Sequence, residues 1–459
     1  MRNQAADRIR AMAEYSIWKL LFRFSGPTII SMMVASSYNL VDAIFVGRLG
    51  PEALAALAIV FPLMMIFHAI ASGTGAGAAS LISRRLGAKD TEGANRGAGT
   101  TIGITILLGA LITAIFLPNL EALLRLFGAT GPVLKLADNY ISILLTFAVI
   151  AVFSMAIGSI IRAEGNPMLP AIVMIVSAVV NIALDPVLIF GLGPIPAMGV
   201  AGAATATVIA QAVGTIILII YLISPRTSFR FRPIYFLPNL KILAEIYRIG
   251  ITSISQIGSG AIVMILVNRT AVSFGVIPLA ILGVVFRTFH FIIMPYSGIG
   301  AGMLPLVGVN FGAKRIERVG ELVLKAGIAC FIWGLLCWLG IMLFPTQIMS
   351  IFNSDPNFLE IGTPAIRVFN LLLFAVGVQM CSTSFFLGIG KGLPALVLGL
   401  SRQVVFLLPC IFIFPRVFGL IGLWATFPVA DGLSTLLTLF WISVQFRKIG
   451  IPFRLRYST

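Results

Sequence analysis

Charge is scarce in this sequence. Of 459 residues, 16 are Asp or Glu and 32 are Lys or Arg, so that 10% of the chain is charged while 59% is hydrophobic. A mean hydropathy of +1.05 excludes a water-soluble globular protein, whose surface needs far more polar side chains. Cysteine is equally sparse: Cys330, Cys337, Cys381 and Cys410 all fall inside apolar runs, which reads as packing and excludes a disulfide framework. The two histidines, His68 and His290, have no partner at a metal-ligand spacing and read as packing or cavity-lining residues. No HExxH, nucleophile elbow or Walker motif occurs, so neither hydrolysis nor ATP coupling has support, and neither an enzyme nor a cofactor is expected.

What the chain has in abundance is long apolar runs. Stretches of about 20 residues, enough to carry a helix across roughly 30 Å of hydrocarbon, recur along the whole length, where a membrane β-barrel would show alternating strands of about ten. Twelve helices are expected, at 17 to 47, 52 to 82, 97 to 117, 136 to 161, 168 to 190, 199 to 223, 242 to 269, 278 to 308, 321 to 344, 362 to 388, 393 to 415 and 419 to 446. The opening MRNQAADRIRAMAEYS is polar for too long, and lacks the small-residue cleavage site, to be a cleaved signal peptide. It reads as an amphipathic lead-in.

Basic residues alternate in density from loop to loop. One side collects 24 of the 32, among them Arg84, Arg85 and Lys89, the run Arg226, Arg230 and Arg232, and Arg447, Lys448, Arg454 and Arg456; the other holds Arg48, Arg125, Lys135, Arg269, Arg367 and Arg416. The positive side faces the cytoplasm, which places both termini there in a multi-pass cell membrane protein. The net charge of +16 follows from this bias and from attraction to anionic headgroups. It does not signal nucleic acid, because no soluble basic domain exists to hold a duplex.

A shift of 225 residues superimposes the two halves: SGTGAG at 72 to 77 meets SGIGAG at 297 to 302, LGAK ending at Lys89 meets FGAK ending at Lys314, and LAALAIVF at 54 to 61 meets LAILGVVF at 279 to 286. Six helices per half is an even number, so both copies run in the same direction. The expected fold is an all-α membrane protein of two parallel-repeat six-helix lobes, residues 1 to 232 and 233 to 459, around a central cavity. The glycines, set in mid-helix among Ala and Ser, permit close helix packing better than they would hold a nucleotide.

The acids do not obey the repeat. Asp42 falls opposite Val267 and, after a one-residue slip in the later segment, Asn181 falls opposite Val405 and Asp185 opposite Pro409. An ionised carboxylate in hydrocarbon costs several kcal/mol and marks function by default. At 1.5 Å per residue, Asp42 lies about 12 Å, Asp185 about 9 Å and Thr205 about 9 Å from the outer ends of their helices. Tyr38 and Asp42, and Asn181 and Asp185, are i and i+4 pairs on shared faces, and Pro186 frees the Ile182 carbonyl beside Asp185. Such an oxygen set suits a hard cation, Na⁺ included, at Asp42, Asn181, Asp185 and Thr205. Two nearby carboxylates also tend to share a proton. The alternative is that both acids are protonated and serve helix packing. Gly26-Pro27 should kink the helix that carries Asp42. Met33, Met65 and Met174, with Tyr38 and Asn39, offer an adaptable lining for a substrate cavity. A second polar group, Arg287, Arg402 and Asp431, lies near the midplane of the other half and reads either as an ion-paired network or as a substrate-contacting patch.

The opening GPTIISMMVASSYNLVDAIFVGRLGPEALAA, the RRLGAK and NFGAK echo and the RAEGNP turn at 162 to 167 resemble the multidrug and toxic compound extrusion (MATE) family, within the superfamily of multidrug, oligosaccharidyl-lipid and polysaccharide exporters. The acid pattern looks like its DinF-type branch. That resemblance implies a cation site of Asp42, Asn181, Asp185 and Thr205, a drug cavity lined by Tyr38, and bending at Pro27. The expected function is secondary active export of amphipathic, often cationic, organic compounds against H⁺ or Na⁺ by a monomer. A flippase for a lipid-linked anionic precursor is the alternative, and would draw on Arg287 and Arg402. A channel would need a continuous polar file, which is not visible.

Overall fold

The computed structural model describes residues 3–451. Arg2, Arg454 and Arg456, counted above toward the positive side, lie outside the described residues. The chain begins with α1 (Asn3–Glu14), α2 (Ile17–Gly47), α3 (Pro51–Gly87), α4 (Thr91–Phe116) and the short α5 (Leu120–Leu126). Then come α6 (Gly131–Thr146), α7 (Ala148–Ala163), α8 (Met168–Phe190) and α9 (Val200–Ile223). A linker containing one 3-10 turn, Pro233–Phe236, leads to α10 (Leu240–Val272), α11 (Val276–Gly312), α12 (Ile316–Leu343) and the short α13 (Pro345–Ser350). The chain continues with α14 (Pro356–Phe369), α15 (Leu373–Gly388), α16 (Gly392–Leu400), a π-helical segment over Ser401–Leu407, and α17 (Leu408–Ile449). Among the described residues nine helical runs are long and apolar enough to cross a membrane, and two bent pairs raise the candidate spans to eleven. The protein is all-helical and membrane-embedded.

Where the expected helices differ from the observed ones, a backbone break is the reason. The span expected at 136 to 161 is the pair α6 and α7, bent by 55°, and that expected at 362 to 388 is α14 and α15, bent by 42°. Each break frees carbonyls that hydrocarbon cannot solvate, so neighbouring helices must supply donors. Thr113 on α4 donates to the Leu145 carbonyl at 2.6 Å, and Tyr296 on α11 donates to the Leu373 carbonyl at 3.1 Å. The last two expected helices run on as one helical stretch from Gly392 to Ile449, interrupted at Gly419, where φ is 61° and ψ is −144°.

The 225-residue repeat is visible in the backbone. Gly50 and Gly275 have φ of 125° and 116°, and Gly165 and Gly390 have 95° and 81°. Lys89 and Lys314, at 61° and 57°, are the non-glycine residues of positive φ among those described. They end the two GAK turns, where a left-handed residue closes the preceding helix. The glycine stretches serve close packing: a Cβ on Gly77 would lie 2.1 Å from the Ile246 carbonyl oxygen, and one on Gly302 would lie 2.9 Å from the Ser25 nitrogen.

Two compact units result. The first holds α1 with residues 30–254, and the second holds residues 15–29 with 255 onward. The N-terminal segment of α10 thus packs in the first unit on the glycines of α3, and the N-terminal segment of α2 packs in the second on those of α11. The apolar core of the first unit gathers Val46, Val60, Leu63, Leu124, Ile141 and Leu145, each fully buried. In the second unit the Cys330 and Cys381 thiols lie 3.0 Å apart and, like Cys337 and Cys410, are free.

The linker is pinned to the first unit by one buried acid. Glu164, in the turn after α7, is 0% exposed. Its Oε2 accepts from Thr227 Oγ1 at 3.1 Å, from the Ser228 backbone N–H at 2.8 Å and from Ser228 Oγ at 2.7 Å. Its Oε1 accepts from the Tyr221 hydroxyl and lies 3.6 Å from the Arg8 guanidinium on α1. Arg8 in turn donates to the Arg226 carbonyl at 2.7 Å. Asn95 and Glu92 on α4 continue the attachment, accepting from the Arg230 N–H at 3.0 Å and the Tyr235 hydroxyl at 2.7 Å. Removing the acid strands several donors, a loss of roughly 3 kcal/mol by analogy with broken buried ion pairs. Glu164→Ala should therefore lower the melting temperature and speed tryptic cleavage at Arg226 and Arg230; unchanged cleavage would show that the linker holds without Glu164.

Candidate functional site

The first unit places the unrepeated acids together. Asp42 on α2 is 8% exposed, Asn181 on α8 is 1% and Asp185 is 0%. The spacing of four residues sets Asn181 one turn before Asp185 on the same helix face, and the Asn181 amide donates to Asp185 Oδ1 at 3.2 Å. The same amide reaches Thr207 Oγ1 on α9 at 3.4 Å. With both of its donor directions committed, Asn181 keeps its Oδ1 free.

That oxygen has no donor, and neither has Asp42 Oδ1 nor Asp185 Oδ2; all three are buried. Buried acceptors without donors are rare and need a reason. Here the chemistry of the set supplies one, because three oxygens from two carboxylates and an amide accept and cannot donate, as a cation or a proton requires. Asp42, Asp185, Tyr38 and Tyr140 lie within electrostatic reach of one another.

The other expected members occupy varied positions. Thr205 on α9 donates to the Ala201 carbonyl at 2.8 Å, which leaves its oxygen lone pairs open to accept a cation. Tyr38 is partly buried beside Asp42, Met65 is partly buried, and Met33, Asn39 and Met174 are exposed along their helices. Pro27 sits within α2, which continues as a helix on both sides of it.

In the second unit Arg402 and Asp431 form a short ion pair, with side chains 17% and 4% exposed, and the guanidinium lies over the Phe289 ring at 5.6 Å. Arg402 is carried by the π-helical segment at Ser401–Leu407. Arg287 does not join this pair and is exposed on α11. His68 and His290 are exposed on their helices, and among the described residues no group of three His, Cys, Asp or Glu is placed to hold a metal.

Two residues of the site escaped the sequence reading. Tyr140 is about 14 Å inside α6 counted from Gly131 by helical rise, so the depth argument that grouped Asp42 with Asp185 would have reached it. Thr207 lies two residues from Thr205 and points to a different side of α9, a choice that spacing alone leaves open.

A family model described as MatE matches residues 27–187 and 249–413. The multidrug export protein MepA of Staphylococcus haemolyticus is 26% identical over 428 residues, 93% of either chain. A MATE structure in the bent conformation superposes with a TM-score of 0.91 at 30% identity, over 96% of this chain and 98% of that one. A MOP superfamily transporter from Pyrococcus furiosus, described with a reverse polarity of its binding pocket, superposes with a TM-score of 0.90 at 30% identity, over 97% of this chain and 99% of that one. The family match covers well over half of the sequence on both sides of the linker, and the chain belongs to the MatE family, a family of transporters and not of enzymes.

Proposed function

We propose that this protein is a secondary active multidrug exporter that exchanges amphipathic, often cationic, organic compounds for H⁺ or Na⁺ by alternating access. The observation that carries the proposal is the trio of buried, donorless oxygens on Asp42, Asn181 and Asp185 in an acid-poor chain. Thr205 completes the cation shell from α9, and Thr207 holds the Asn181 amide in the orientation that leaves its oxygen free. The acid pattern favours the DinF-type branch of the family. Tyr38, Asn39, Met33, Met65 and Met174 would line the adjacent substrate cavity of the N-terminal lobe.

The same reading takes the architecture as twelve spans in two lobes, 1–232 and 233–459, with both termini cytoplasmic and the monomer as the working unit. The backbone supports twelve. Gly419 (φ 61°, ψ −144°) repeats the conformation of Gly199 (φ 59°, ψ −133°), which opens α9, so the stretch from Gly392 to Ile449 divides there into two helices.

Exchange requires that ion and substrate favour different conformations, with a coupling of about 1 to 3 kcal/mol. A cation at the carboxylates removes their mutual repulsion and their cost in hydrocarbon, so occupancy favours the arrangement of α2 that holds Asp42 against α8. Pro27, two residues before α2 passes from the second unit to the first, is the point at which we expect that helix to bend. The flippase reading draws only on Arg287, because Arg402 is already neutralised by Asp431.

Inside-out proteoliposomes given a pH gradient or a Na⁺ gradient should accumulate a cationic fluorescent dye under one of the two. Asp42→Asn and Asp185→Asn should each reduce that uptake to the level seen without a gradient, whereas ion-driven uptake by Asp42→Asn would refute the coupling role. Thr207→Val removes one hydrogen-bond partner, worth about 1 kcal/mol, and should raise the half-saturating ion concentration about fivefold, with Thr207→Ser restoring it. An unchanged ion dependence in Thr207→Val would remove Thr207 from the site.

A further inference from the structure

The first unit contains a cavity of about 380 Å³ at the end of the bundle that the distribution of basic residues marks as external. It opens between the turn joining α2 to α3, the outer part of α6 and the start of α9, and its walls include Leu49, Glu52, Asn139, Met198, Gly199 and Val200. Glu52 is the one charged side chain in this wall, and Asn139 adds the one side-chain amide. Arg48, the first residue after α2, is drawn over the Phe45 ring at 5.7 Å.

Three separate helices connect this cavity to the carboxylates. α2 carries Asp42 and ends at Gly47, and Leu49 of the wall lies in the turn that follows it. On α6, Asn139 in the wall is followed by Tyr140, which is 5% exposed and within electrostatic reach of both acids. On α8, Ile189 lies one turn beyond Asp185, and its carbonyl accepts from the Gly199 N–H of the wall at 3.1 Å. Val46, one turn beyond Asp42, Ile189, one turn beyond Asp185, and Ala203, one turn into α9 from Gly199, are each 0% exposed and belong to one apolar core.

We infer that this cavity is an external vestibule through which the coupling cation reaches and leaves Asp42 and Asp185 inside the first unit, separately from the organic substrate. The inference rests on the cation site proposed above. Glu52 raises the local cation concentration at the mouth, Asn139 offers a polar step, and Tyr140 marks the inner side of the apolar layer. The layer of Val46, Ile189 and Ala203 keeps water and ions from crossing until the helices shift by a small amount. A vestibule lined by one carboxylate and one amide has no room in its chemistry for an anion and selects monovalent cations only weakly, so selectivity is left to the deeper oxygens.

The test uses right-side-out proteoliposomes of the full chain carrying Asn139→Cys and a membrane-impermeant, positively charged methanethiosulfonate reagent. The native cysteines all lie on helices of the second unit, so the wild type treated in parallel is the control. The exchange rate of the modified protein is read against the same Asn139→Cys preparation left unmodified, whatever its own rate. After modification, ion-driven dye exchange should fall at least about tenfold while equilibrium dye binding stays unchanged, as expected for a blocked path of the ion alone. Undiminished exchange after complete modification would overturn the vestibule. Glu52→Gln should also raise the external cation concentration for half-maximal drive several-fold at low ionic strength, and the difference should shrink in about 0.5 M inert salt as screening shortens the reach of the charge. A Glu52→Gln effect that salt does not change would count against steering. If Asp42→Asn abolishes coupling and modified Asn139→Cys does not, the vestibule fails and the cation site stands. If neither change affects coupling, the cation site itself is wrong.

Discussion

A carboxylate held in hydrocarbon must be matched by a proton, a cation or a set of donors, and most of what distinguishes the two halves of this protein follows from how that demand is met. In the second half Asp431 has its answer inside the chain, because Arg402 is bonded to it. In the first half the Asn181 amide donates to Asp185 and not to Asp42, and one buried acceptor oxygen on each of Asp42, Asn181 and Asp185 remains open. On the proposed reading, the balancing proton or cation comes from outside the chain. A site of this kind is empty or occupied according to the ion concentrations on either side of the membrane, which is the property an ion-driven exporter needs.

The scaffold that holds these two chemistries is nearly the same in both halves. Close glycine packing lets the α3 stretch at Gly73 and Gly77 meet α10, and the equivalent α11 stretch at Gly298 and Gly302 meet α2. Backbone oxygens and helix axes come near enough there that any side chain would push them apart. Because the N-terminal segments of α2 and α10 belong to the opposite unit from their C-terminal segments, Asp42 lies on a helix shared by both units. The linker, tied to Glu164 and to α4, stays with the first unit.

Much of this was legible in the sequence, for identifiable reasons. Long apolar runs gave the helices, and α2 and α8 begin and end where hydropathy placed them, since a membrane leaves the backbone no alternative to the helix. The breaks at Phe147 and near Leu372 were not legible, because neither carries proline and each depends on a donor from another helix, Thr113 in one case and Tyr296 in the other. The acids stood out because the repeat leaves them unmatched. Whether Thr205 or Thr207 faces Asn181 depends on the rotation of α9, which spacing within one helix does not fix. The sequence also grouped Arg287 with Arg402 by depth alone, and the rotation of α11 keeps Arg287 out of that pair.

The most direct test of the central claim is equilibrium binding of a cationic dye to the purified protein across a range of pH and of Na⁺ concentration. If the open oxygens of Asp42, Asn181 and Asp185 compete for a cation, dye affinity in the wild type will fall as H⁺ or Na⁺ rises, and the double variant Asp42→Asn with Asp185→Asn will bind the dye with an affinity that neither ion alters. A wild-type affinity independent of both ions, or a dependence that survives in the double variant, would contradict the account.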